Sequence, residues 1–324
     1  MTGSETLFVL VGALALEAAF GYPDWLYQRI GHPVSWMGRL ISGLDHRLNK
    51  DADGPQARRN GGVVALSIVI GVTGITAWAI ERVFDHLAFG SFLIALLAST
   101  LIASRSLYDH VGAVARALDQ YGLKDAQEAV GRIVGRNPQT LDAHGVARAA
   151  IESLAENASD GIVAPVFWFA IFGLPGLAVY KAINTADSMI GHLTARHEAF
   201  GWAAARLDDL VNLPASRLTA LLFAAASAFT RGASMAGALE GVSRDASKHR
   251  SPNAGWPESA IAGALDLKLN GPKFYGETRV EDAYMGDGRR DATSDDIHAA
   301  LRLTTTAWIL MVGLILALAI ILQA

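Results

Sequence analysis

The chain of 324 residues contains no cysteine. Disulfides, thiolate nucleophiles and Cys-ligated metals are therefore excluded together. Charge is scarce as well. Only 18% of residues are charged, against about 25% in an ordinary soluble domain. The formal net charge is -4 and no basic tail is present, so no nucleic-acid partner is expected. No G-x-x-x-x-G-K-[ST] and no H-E-x-x-H occur, which removes the P-loop and zincin readings. The first six residues include Glu5 but no Lys or Arg, so the first apolar stretch reads as a retained helix rather than a cleaved signal peptide.

What is abundant is apolar surface. Hydrophobic residues make up 52% of the chain and the mean hydropathy is +0.29. A helix needs about 20 apolar residues to cross the hydrocarbon core. Segments 61–80, 87–104 and 303–324 satisfy that without a charge. Three more are qualified: 7–20 carries Glu17, 161–180 carries Pro165 and Pro175, and 210–230 carries Pro214 and Arg217. The last two read equally as kinked spans or as re-entrant segments, since broken helices persist where protein or a wet cavity covers the freed backbone. The expected fold is all-α: a single polytopic membrane unit over residues 1–324, with about four to six membrane helices, some broken or re-entrant, joined by long cytoplasmic helical loops. Lys and Arg concentrate in 22–60, 105–160 and 231–302, which the positive-inside rule places in the cytoplasm. Six simple spans then put 181–209 outside; two re-entrant segments would return it to the cytoplasmic side.

Three polar constellations stand out. Arg148, Glu152, Glu156 and Asp160 recur every four residues, with Asn157 alongside, and so share one helical stripe. Such a stripe is either a solvated face or a set of carboxylates able to hold Mg²⁺ on substrate phosphates. Lys181, Asn184, Asp187, Ser188 and Gly191 follow one apolar segment, while Arg206, Asp208, Asp209 and Asn212 precede the next. Ionisable groups near membrane depth are costly and mark a functional path or a pair, although Lys181 or Arg206 alone reads as a snorkelling anchor. The two acidic clusters suggest one shared site. The third constellation runs from Asp245 through Lys248, His249, Arg250, Asn253 and Trp256 to Glu258. Its Pro and Gly residues imply a shaped turn able to clamp a phosphate; the alternative is a basic cytoplasmic loop. Gly263, Gly271 and Gly276 suggest close backbone approaches.

At these motifs the chain resembles the adenosylcobinamide-phosphate synthase family, the CobD/CbiB proteins of cobalamin biosynthesis. The resemblance is carried by Glu152-Ser-Leu-Ala-Glu156-Asn157-Ala-Ser-Asp160, Tyr180-Lys-Ala-Ile-Asn184-Thr-Ala-Asp187, Phe200-Gly-Trp-Ala-Ala-Ala-Arg206-Leu-Asp208-Asp209 and Ser251-Pro-Asn-Ala-Gly-Trp256-Pro-Glu258. Earlier matches are His32-Pro-Val34 and Ala103-Ser-Arg105. Departures occur at Glu17, at Tyr22 and in Gly135-Arg136-Asn137, where the family pattern has aspartate at 17, 22 and 137.

The resemblance implies an amide bond formed between a propionate of adenosylcobyric acid and the amine of 1-amino-2-propanol or its O-phosphate, driven by ATP through an acyl phosphate. ATP and Mg²⁺ are the implied cofactors, and the corrinoid is substrate. Glu156, Asp160 and Asp187 are expected as Mg²⁺ ligands or general base, with Glu152 in the same metal set. Lys181, Arg206, Lys248 and Arg250 would hold phosphates, and Asn157, Asn184 and Asn253 substrate amides. Asp208, Asp209, His249, Trp256, His32 and Arg105 complete the expected substrate-binding set. The implied partners are the bilayer of the bacterial inner membrane and other late-pathway membrane enzymes. The rival reading is a corrinoid transporter or membrane sensor without catalysis, because transporters also build sites from broken helices.

Overall fold

A computed structural model describes residues 3–135, 137–275 and 278–324; Arg136 and Gly276, both singled out above, lie outside the described residues. The described residues are overwhelmingly helical, with four strands of two or three residues among them. Among the described residues, six helices are long and apolar enough to cross a membrane. They are α1 (Gly3–Phe20), α4 (Pro55–Asp85), the pair α5 (Gly90–Ser99) and α6 (Ser104–Gln120), the run from α8 (Ala143–Ala158) into α9 (Ala164–Ile190), α10 (Trp202–Ser227) and α13 (Ser294–Gln323). Each of the six apolar segments read from the sequence falls on one of them. Their exposures differ. The apolar windows of α4 and α13 are only 22% and 17% buried, against 56% for the α8–α9 run and 50% for α10. The long apolar helices without an internal proline thus present side chains outward, where lipid is as good a neighbour as protein, while those with Pro175 and Pro214 inside are more enclosed.

The chain divides into two compact units. Unit 1 comprises Met1–Ala103, Ala164–Asn212 and Ile315–Ala324; unit 2 comprises Ser104–Val163 and Leu213–Leu314. In unit 1, α4 packs on α9 and on α3 (Pro33–Leu48), and α1 packs on α5. Its core joins Ile41 of α3 and Leu66 and Val69 of α4 to Ala182, Ala186 and Ile190 of α9, with Phe200 beyond. Small residues permit this closeness: a Cβ on Gly62 would stand 1.8 Å from the Phe200 carbonyl oxygen.

Two helix breaks in unit 1 are each closed by a side chain from another element. The segment 87–104, expected as one uninterrupted span, is helical in α5 only to Ser99 and resumes at Ser104. The imidazole of His32 reaches the Thr100 carbonyl there. His32 Nδ1 accepts from Val34 N at 3.2 Å, which assigns the ring proton to Nε2 and makes that nitrogen the donor to Thr100. The second break lies in α9, where Gly173 has φ 64° ahead of Pro175. A Glu81 oxygen accepts the freed Leu174 N–H at 2.7 Å. Both arrangements follow from the cost of leaving backbone groups unpaired in an apolar setting. By contrast α10, whose sequence allows a kinked span or a re-entrant segment equally, runs continuously through Pro214 for 26 residues, roughly 39 Å at helical rise, enough to cross a bilayer.

Unit 2 places α8 against α6 and α7 (Leu123–Val130), and α11 (Met235–Asp245) against α12 (Gly255–Ala264). The last contact is backbone-close: a Cβ on Gly263 would lie 2.0 Å from the Gly237 carbonyl oxygen. Gly271, with φ 91°, leaves no room for a Cβ beside the Tyr284 ring. The close approach to a helix expected at Gly263 is therefore present, whereas the neighbour of Gly271 is the Tyr284 side chain and not a helix. Strands β1 (Leu269–Asn270) and β4 (Tyr284–Met285) pair antiparallel, as do β2 (Lys273–Tyr275) and β3 (Thr278–Val280).

Candidate active site

The expected site residues divide between the units. Unit 1 holds His32, Lys181, Asn184, Asp187, Arg206, Asp208 and Asp209; unit 2 holds Arg105, Glu152, Glu156, Asn157, Asp160, Lys248, His249, Arg250, Asn253 and Trp256.

In unit 1 the polar groups sit where α9, after its break, faces the first half of α10. Asp208 is 9% exposed and Asn212 fully buried. Asn212 Nδ2 donates to Asp208 Oδ2 at 3.0 Å, and Asn184 Nδ2 donates to Asp208 Oδ1 at 3.3 Å. Tyr180, itself buried, donates its hydroxyl to Asn212 Oδ1 at 2.8 Å. The chain of bonds fixes the amide orientation of Asn212 and hence the donor presented to Asp208. Trp168 ties the same helices together by donating to the Val211 carbonyl at 3.1 Å. Asp187 lies over Gly191, where a Cβ would be 1.9 Å from Asp187 Oδ1; glycine is required for that carboxylate to fold back onto its own helix end. His32 stands close enough to feel the Lys181 charge. Burial and then Lys181 push its pKa below the usual imidazole value, so it acts as a neutral brace. Arg206 is largely exposed and reaches Asp209 at 3.9 Å.

In unit 2, α8 is buried over most of its circumference, so its carboxylate stripe is no uniform solvated face. Glu152 is 7% exposed and its Oε1 accepts the Asn270 N–H at 2.8 Å. Glu156, one turn on, is exposed. Asp160 falls in a π-turn, Ser159–Val163, which shifts it off the four-residue stripe. Single π-turns within helices recur at functional sites. Asn157 bonds back to the Ser153 carbonyl at 2.9 Å.

The basic loop is internally paired. Lys248 Nζ donates to Asp245 Oδ1 at 3.0 Å, and Arg250 Nε meets Asp282 at 2.8 Å. His249 Nδ1 accepts from Ser251 N at 3.0 Å, with Nε2 3.8 Å from Glu258. Lys248 and Arg250 each keep further N–H donors and substantial exposure beyond that one contact. Asn253 Oδ1 accepts from Ser216 and from Arg217 Nη1, both at 3.1 Å, and the Arg217 guanidinium stacks over Trp256 at 4.4 Å. Arg217 was not among the expected site residues. Its signal was in plain view as an arginine inside an apolar segment. Arg105 pairs with Asp109 at 3.7 Å on an exposed face of α6.

The four expected Mg²⁺ ligands do not form a prepared metal site within either unit. Among the described residues no group of three His, Asp or Glu side chains converges, and Glu152 already serves the Asn270 backbone. The donors present suit at most a Mg²⁺ carried on substrate phosphates with one or two carboxylates.

The family model described as CobD/Cbib protein matches residues 10–304. A relative from a Sinorhizobium species, named cobalamin biosynthesis protein CobD, is 50% identical over 322 residues, covering 98% of this chain and 100% of its own length. Relatives of the same name from Rhizobium meliloti and Rhodobacter capsulatus are 49% and 47% identical, with coverage of 92% of both chains and of 97% and 96% respectively. No solved structure matches the chain.

Proposed function

From membership of the CobD/CbiB family, to which the chain belongs, we propose that it joins a propionate of adenosylcobyric acid to the amine of 1-amino-2-propanol or its O-phosphate. A role in cobalamin biosynthesis follows from near-full-length identity of about half to relatives that carry that name. The product is adenosylcobinamide or its phosphate, made in a membrane of the bacterial cell. A carboxylate and an amine do not condense unaided in water. ATP therefore donates its terminal phosphoryl group to the propionate oxygen, the amine nitrogen attacks the acyl carbon, and phosphate departs as the nitrogen loses its proton to a carboxylate. Mg²⁺, when bound on the phosphates, would neutralise their charge.

The observation that supports this best is the buried carboxylate–amide network of Asp208, Asn184 and Asn212. Carboxylate and amide groups on apolar helices are suited to a large substrate rimmed with primary amides, because each offers hydrogen bonds where water is sparse. Asp208 receives amide N–H donors from the substrate on its remaining lone pairs, and Asn184 orients it. Glu156, exposed next to the π-turn carrying Asp160, takes the amine proton. Lys181 and Arg206 offset charge developing on the acyl phosphate. Lys248 and Arg250, on the exposed loop of unit 2, are suited to a phosphate through the N–H groups that their carboxylate partners leave open.

The test is purified protein with adenosylcobyric acid, ATP, Mg²⁺ and the amine. One ADP per amide is expected, with ¹⁸O from a labelled propionate carried into the released phosphate. Asp208→Asn should lower turnover about 10- to 100-fold, the loss expected for charged hydrogen bonds of roughly 1.5–3 kcal/mol. Corrinoid binding without ATP turnover or amide would instead favour transport or sensing.

A further inference from the structure

Unit 2 contains a second polar feature, distinct from the basic loop. It is a pocket of about 260 Å³ whose wall includes Asp142, Arg148, Glu152, Asn270 and Arg290. The elements around it hold these groups in place. Arg148 donates to the Arg290 carbonyl, and the Arg290 guanidinium lies 5.0 Å from the Tyr284 ring. Asp142 is engaged as the N-cap of α8, accepting from Gly145 N at 2.6 Å. Glu152 is fixed by the Asn270 N–H. Asn270, 5% exposed, donates Nδ2 to the Ala283 carbonyl at 2.9 Å, and its Oδ1 has no donor among the described residues.

The pocket wall thus carries two arginines and two carboxylates, of which Asp142 is committed to the N-cap of α8. Guanidinium groups of Arg148 and Arg290 bind phosphate oxygens in fork geometry. A carboxylate one helical turn along α8, together with a buried carbonyl oxygen lacking a donor among the described residues, calls for an ammonium. Size narrows the choice further. The volume is at the small end of ligand pockets, far too small to take a corrinoid. A phosphate monoester with an amine two carbons away fits.

We propose that this pocket seats the small amine substrate as its O-phosphate, with phosphate on Arg148 and Arg290 and ammonium on Glu152 and Asn270 Oδ1. The identity of the ligand rests on the amide-forming reading above; its charge pattern and size rest on the pocket alone. Seating the phosphate at Arg148 and Arg290 gives the amine a fixed orientation, so that loss of these arginines is felt in amine affinity before it is felt in chemistry.

The experiment is calorimetric titration of the full-length chain in detergent with three probes: 1-amino-2-propanol O-phosphate, 1-amino-2-propanol and inorganic phosphate. The phosphorylated amine should bind more tightly than either fragment. Arg290→Gln should weaken it about 10- to 100-fold, as for loss of a charge-assisted hydrogen bond. Arg290→Lys, which keeps the charge, should fall between the two and guards against misfolding as the cause. Glu152→Gln, whose carbonyl still accepts the Asn270 N–H, should weaken the phosphorylated amine while leaving inorganic phosphate unchanged. No binding by the wild-type chain, or wild-type affinity in a folded Arg290→Gln variant, would overturn the proposal. Amide synthesis with an unaltered amine KM in Arg290→Gln would reject this pocket and spare the synthase reading. Tight binding of the phosphorylated amine by a chain that makes no amide would do the reverse.

Discussion

In unit 1, Asp208 is held by the uncharged amides of Asn184 and Asn212 on apolar helices. In unit 2, the equally buried Asp245 is held by Arg244, Lys248 and the Gly286 N–H at 2.8, 3.0 and 2.9 Å. The two carboxylates are alike in burial and opposite in company. Amide donors satisfy lone pairs without supplying an opposing charge, so Asp208 is positioned by neutral hydrogen bonds alone. Cations supply one, so Asp245 is a structural joint that ties α11 to the turn after β4. The difference follows from setting. Arg244 and Lys248 can pair with Asp245 while their own chains still reach water, whereas a cation brought fully onto apolar helices carries a large desolvation cost.

Breaking the ionic side of that comparison should have the largest effect on folding. Asp245→Ala leaves two cations and a backbone N–H without their shared acceptor, and should cost about 3 kcal/mol, read as a fall in the thermal midpoint of the detergent-solubilised chain. The pH dependence sharpens it. Burial raises the Asp245 pKa, but hydrogen bonds from Arg244, Lys248 and Gly286 N–H and the Arg244 charge outweigh this and hold it below the usual 3.8. A folded pKa below the unfolded one means the stabilisation is present above 3.8 and is lost as pH falls through the lower folded value. Asp245→Asn should therefore flatten the acid limb of the stability profile below about pH 4; an unchanged limb would remove Asp245 from the role of joint.

A smaller effect is expected at the unit 1 helix break. Glu81→Ala leaves the Leu174 N–H unpaired, at roughly 1–3 kcal/mol, whereas Glu81→Gln keeps an acceptor and should stay near wild type in protease resistance. Equal behaviour of the two variants would show that the break needs no cap. The smallest effect should be at Arg206. Its side chain is 69% exposed and 3.9 Å from Asp209, so Arg206→Ala should change stability by less than about 0.5 kcal/mol while reducing turnover, separating a surface pair from a functional cation.

Much of this was legible beforehand, for identifiable reasons. Apolar length alone marks a spanning helix, and all six segments were visible on that ground. An interruption within 161–180 was signalled by its prolines, although Pro214 carried the same signal in a helix that does not break. The break at Thr100 was not. The segment 87–104 has no proline, and its interruption depends on His32 arriving from α3 to take the Thr100 carbonyl. The acidic stripe of α8 was legible to Glu156 and then misleading at Asp160, since a π-turn is a single-residue change of register that periodicity cannot reveal. The basic loop displays its cations in the sequence, but nothing local marks Asp245 and Asp282 as their partners. Pairing across 32 residues, as between Arg250 and Asp282, leaves no local trace.

The sequence by itself determined that this is a membrane protein of helices, which residues carry charge into it, and which family it resembles. Those properties reside in composition, run length and motif order, and need no neighbours. Tertiary structure alone decided which charges are neutralised and which are left to act. It held Asp208 with amides, joined Asp245 to cations, set Glu81 under a broken helix and enclosed Arg148, Glu152 and Arg290 around one small pocket. The physical reason is that a side chain's chemistry depends on its donors and its dielectric surroundings, and both are supplied by segments distant along the chain.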